Sequence, residues 1–134
     1  MRGFRLFFVL AAGQAGLWVP LWVLRFLGAL PAPSYPPGAA WHAHEMIYGS
    51  IAAAMAGFLT VGGGGWRVAV PAAVWLAARV ALLAPGAVGP AAATGLDLAF
   101  LPLVLALRRP PLWAAPKLLT LGVAALGSGL VGVN

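Results

Sequence analysis

Runs of about 20 residues, nearly free of charge and each closed by proline or glycine, follow one another along this chain and leave few folds open to it. A helix crossing about 30 Å of hydrocarbon needs roughly that many residues, since each adds about 1.5 Å and lipid offers no partner to an open backbone amide. The runs fall at about 6–30, 41–61, 68–84, 91–107 and 116–133. Between them lie Pro31, Pro33, Pro36, Pro37 and Gly38, then Gly62 to Gly65, then Pro85-Gly86 and Pro90, then Arg108-Arg109-Pro110-Pro111. Proline lacks the amide that would continue a helix and restricts the residue before it, so these segments read as connectors. The expected fold is all-α, a polytopic transmembrane helical bundle of about five spans forming one integral membrane domain over 1–134. The apolar runs are continuous rather than alternating at period two, which argues against a membrane β-barrel.

The composition points the same way. With 63% hydrophobic and 7% charged residues, the chain has too little polar surface to clothe a water-facing domain. Its net charge of +6 would suggest nucleic acid in a soluble protein, but the basic residues are dispersed, so no nucleic acid is expected and the lipid bilayer is the partner. Arg2, Arg5, Arg67, Arg108, Arg109 and Lys117 all fall on one side if the N-terminus is cytoplasmic, and the connectors around 31–40 and 84–90 carry no Lys or Arg. This bias predicts a multi-pass protein of a bacterial inner membrane with a periplasmic C-terminus. The start of the chain also fits a secretory signal with Leu10-Ala11-Ala12-Gly13 as the cleavage site, yet the apolar pattern continues to span length, so an uncleaved first helix is expected.

Topology then brings the ionisable residues to one depth. Arg25 lies near the outer end of the first span, His42, His44 and Glu45 in the first turns of the second, Arg79 in the outer half of the third, and Asp97 roughly 10 Å below the outer end of the fourth. Such groups are costly in hydrocarbon and normally face a bundle interior in pairs, so Glu45 and Asp97 can offset Arg25 and Arg79, although for Arg25 snorkelling to the outer headgroups is the favoured role and pairing the alternative. His42 and His44 point roughly 200° apart on a helix, which aims only one of them at any single metal or cofactor. His42 shares a face with Glu45 and Gly49, and His44 stacks towards Tyr48, which is either a hydrogen-bonding neighbour of a site or an interfacial aromatic. Met46 and Met55 read as packing residues or soft copper ligands.

Some chemistry is excluded. With Cys 0, thiolate metal sites and cysteine nucleophiles are absent. The glycine run before Trp66 lacks the Lys-Ser/Thr ending of a phosphate loop, and no serine stands beside His and acid at useful spacing. Small residues recur every four positions at Gly49, Ala53 and Gly57, and again at Ala124, Ser128 and Gly132, where close helix packing is possible.

The stretch Trp41-His42-Ala43-His44-Glu45-Met46-Ile47-Tyr48-Gly49, followed by Ala53 and Ala56-Gly57-Phe58-Leu59, resembles the NnrS family of bacterial membrane proteins. Arg5-Leu6-Phe7-Phe8, Leu76-Ala77-Ala78-Arg79, Leu96-Asp97-Leu98-Ala99-Phe100-Leu101-Pro102 and Pro116-Lys117-Leu118-Leu119 are similar to further family segments, in the family's order. The resemblance is to the N-terminal portion of longer proteins with about a dozen spans, and it departs from the family in the Gly62 to Gly65 connector. It implies binding of haem b and of copper and a link to nitric-oxide or nitrosative stress. His42 or His44 would then be the metal ligand, with Glu45 and Asp97 balancing charge, Tyr48 alongside, and Arg79 and Arg25 pairing with haem propionates. A homo-oligomer or a membrane partner subunit would supply whatever later helices contribute. The alternatives are a cofactor-free structural or assembly module and a proton or metal-ion conduit through Glu45, His42, His44 and Asp97; catalysis is not legible.

Overall fold

A computed structural model of the protein describes residues 3–31, 38–83 and 89–108. Among these residues there is no strand. The elements are α1 (Gly3–Phe26), α2 (Gly38–His44), a π-helical turn (Glu45–Ile51), α3 (Ala52–Leu59), α4 (Trp66–Leu83) and α5 (Pro90–Leu107). The junction residues His44 and Ile51 are right-handed helical, so α2, the π turn and α3 form one unbroken run over 38–59. Three of the described helices, α1, α4 and α5, are long and apolar enough to cross a membrane. The expected fifth span at 116–133, with Ala124, Ser128 and Gly132, lies outside the described residues.

Glycine decides where two of the spans stop. The first run, expected to reach Leu30, ends its helix at Phe26 because Gly28 adopts φ +75°. The Gly28 N–H then bonds Arg25 O at 3.1 Å and the Ala29 N–H bonds Leu24 O at 2.9 Å, a Schellman end that satisfies carbonyls the helix leaves open. The glycine run read as a connector is an ordered turn. Gly62 and Gly65 take left-handed φ values, the Gly63 N–H bonds Thr60 O at 2.8 Å, and the Gly63 carbonyl accepts the Gly3 N–H at 3.0 Å.

The helices pair as two antiparallel hairpins. In the first, α1 lies along residues 38–59: Gly3 meets Thr60, Gly57 meets Phe7 and Phe8, and Gly49 meets Gln14. The seam of small residues in the second span therefore docks α1. A Cβ at Gly57 would come within 2.7 Å of Phe8 Cδ2, and Ala53, between the two glycines, is fully buried. In the second hairpin, Ala81 and Leu82 of α4 pack on Ala93 and Leu96 of α5. The hairpins share a core in which the Phe7 and Phe100 rings lie 5.8 Å apart among Ala52, Ala56, Ala72, Trp75 and Val104. Leu17, Phe26, Val80 and Leu98 stay more than half exposed, which suits a lipid-facing surface and not a watery one.

Candidate functional site

The π turn opens the second span where the site forms. The Ala52 N–H bonds Ile47 O, the i→i+5 pattern of a π turn, instead of Tyr48 O. The Tyr48 and Gly49 carbonyls accept the indole N–H of Trp75 from α4, at 3.2 and 3.0 Å. This cross-helix donor fixes the opened turn against the second hairpin. Trp75→Phe keeps the ring in the core but removes the donor, so we expect a loss of about 1–3 kcal/mol, seen as a lower thermal midpoint in detergent. An unchanged midpoint would show that these carbonyls need no such partner.

Four helical segments converge on one buried ionic cluster. Glu45, at the start of the π turn, has 0% exposure, Arg79 of α4 has 3% and Asp97 of α5 has 5%. Arg79 bridges both acids: its Nη1 lies 3.2 Å from Glu45 Oε2 and its Nη2 donates to Asp97 Oδ1. From α1, Gln14 Nε2 donates to the same Glu45 oxygen at 2.5 Å. His44 completes the set, with Nδ1 3.4 Å from Glu45 Oε1 and Nε2 3.4 Å from Asp97 Oδ2. One guanidinium against two carboxylates leaves one negative charge, and unpaired buried charge costs on the order of several kcal/mol. His44 presents each ring nitrogen to one of these carboxylate oxygens. The His44 ring also stacks on Tyr48 at 4.6 Å, as the i, i+4 spacing predicts, and Tyr48 is buried within the bundle.

Arg25 and His42 stand apart from this cluster, nearer the connector end of the first hairpin. His42 stacks on Trp22 of α1 at 4.3 Å with the planes 27° apart, so the face it was expected to share with Glu45 and Gly49 is indeed the one against α1. The pairing of Arg25 with an acid is not made: both acids are engaged by Arg79 and His44, and the Arg25 guanidinium lies 4.4 Å over the Trp41 ring. Among the described residues no group of three His, Cys, Asp or Glu side chains converges as a metal-ligand set. Met46 and Met55 are partly buried, and Met55 packs against the core.

Between α1 and α4 an apolar cleft of about 340 Å³ opens sideways. Exposed Leu17 and Val80 form its rim, and buried Gln14 and Arg79 lie at its depth. Neither histidine lines it.

Sequence reasoning missed Gln14 and Trp75. Gln14 had a signal, as the chain's one glutamine within an otherwise apolar span. Trp75 had none, since an indole in an apolar helix looks like packing until its N–H partner is seen.

The comparisons agree with the residues quoted above. A family model described as NnrS protein matches residues 1–134. No curated protein and no solved structure matches the chain at a significant level.

Proposed function

The chain belongs to the NnrS family, and from that premise we propose that it is a haem-binding protein of a bacterial inner membrane, with His42 as axial ligand and a role in the response to nitric oxide. The observation that carries the choice of histidine is the company each ring keeps: the Nδ1 atoms of His42 and His44 are both buried without a hydrogen-bond partner, but each His44 nitrogen lies 3.4 Å from a carboxylate oxygen, whereas His42 makes no such ion pair among the described residues. A neutral imidazole nitrogen suits haem iron. Held at His42, haem would supply a position for a small diatomic ligand and one-electron chemistry. The protein's own contribution is to hold the ring, which Trp22 fixes by stacking. Glu45, Asp97 and Arg79 act as the lock that holds the helices in register. Copper, the other metal the family implies, would draw on His42 or His44 with further donors from a second copy or a partner subunit. The orientation proposed is N-terminus inside, which keeps Arg2, Arg5, Arg67 and Arg108 on the cytoplasmic side.

The test is a visible spectrum. Protein produced with haem supplied and purified in mild detergent should show a Soret band and stoichiometric iron. His42→Ala should lose most of both, and His44→Ala should keep the band. A colourless wild-type protein would reject the haem reading in favour of a cofactor-free structural module or an ion conduit, and a full band in His42→Ala would reject His42 as the ligand.

A further inference from the structure

The chain contains two acidic side chains in all, and both are taken by Arg79 and His44. Arg25 therefore has no carboxylate side chain to meet anywhere in the sequence. It is nonetheless partly enclosed: its Nε and Nη1 are buried without a hydrogen-bond partner. Trp41, beneath the guanidinium at 4.4 Å, is 1% exposed, and its indole Nε1 is likewise buried without a partner. These atoms only donate. Since the guanidinium rests on the ring whose edge carries Nε1, the donors are neighbours, and Trp22, one turn before Arg25 on α1, stacks on His42 beside Trp41 and holds the pair in place. Buried guanidinium and indole donors with no acceptor among the described residues call for an oxyanion, and fork-shaped guanidinium recognition of phosphate or carboxylate is the strong form of that contact.

We propose that Arg25 and Trp41 form an oxyanion site that takes a phosphate group at the connector end of the bundle. The position suits this ligand. Arg25 lies in the last turn of α1, just before the chain turns at Gly28, which is the end of a span and so the level of phospholipid headgroups. The site is independent of haem, and it is tested on protein made without haem so that its failure and that of the His42 assignment are read separately.

Two arms distinguish the source of the phosphate. Native mass spectrometry of the detergent-solubilised chain reads retained phospholipid, and tryptophan fluorescence of delipidated protein reads titration with inorganic phosphate. Retained phospholipid without phosphate binding identifies a headgroup site, and phosphate binding by delipidated protein identifies a site open to the free anion; either supports the proposal. Arg25→Gln should weaken the binding seen by about tenfold or more, and Arg25→Lys should restore part of it. Trp41→Phe, which keeps the stacked ring and removes only the donor, should weaken it roughly two- to tenfold and serves if Arg25→Gln does not fold. The proposal is overturned if the wild-type protein holds neither ligand, or if Arg25→Gln or Trp41→Phe binds as the wild type does.

Discussion

Arg79→Met is expected to lower stability by about 3–5 kcal/mol, because it removes the guanidinium that bridges Glu45 and Asp97 and leaves two carboxylates buried against each other. Methionine fills much of the same volume, so the loss reports charge and not a cavity. The expected reading is a large drop in the detergent thermal midpoint, or loss of the monodisperse species on gel filtration. Adding Glu45→Gln and Asp97→Asn to the same chain should recover much of the loss, since amides in place of carboxylates leave no buried charge. A single variant as stable as wild type would mean that the cluster is not the lock described here. Failure of the triple variant to recover would mean that Arg79 acts chiefly through shape.

Gly49→Val should rank next, at about 3 kcal/mol, the upper end of what overpacking usually costs. The reason is local. A Cβ at Gly49 would stand 2.5 Å from Gln14 Nε2 and 2.8 Å from its Cγ, and Gln14 cannot move aside without releasing Glu45. The substitution therefore breaks helix packing and a buried hydrogen bond together. Gly13 is the control on α1, since nothing lies within 4 Å of a Cβ built there, and Gly13→Ala should be neutral or slightly stabilising. Combining Gly49→Val with Gln14→Ala should cost less than the sum of the two single changes, because one contact is lost in both. Additive losses would show that the Gln14 amide is not what Gly49 makes room for.

Much of the architecture was legible in the residues because lipid is an unforgiving solvent. Apolar runs of span length had to be helices, and prolines at 90 and glycines at 62 and 65 marked ends that the structure keeps within a few residues. Glu45, Asp97 and Arg79 were readable as partners because ionised groups in hydrocarbon have few alternatives to one another. The stop at Gly28 was harder to see, since Leu27 to Leu30 carry the apolar pattern past the helix end.

What the residues left open was direction. α1 is apolar on every side, so periodicity could not say which face meets protein and which meets lipid, and Gln14 became informative only when it was found against Glu45. The choice of partners was likewise undetermined: two acids and two intraspan arginines allow several pairings. Three-dimensional packing selected the one in which Arg79 takes both acids and Arg25 takes neither, and it set His44 between carboxylates while leaving His42 out of these ion pairs. Composition and spacing record what a segment must avoid, which is enough to fix a helix in a membrane. Which neighbours its side chains satisfy depends on how the helices are rotated against one another, and close packing between them sets that rotation.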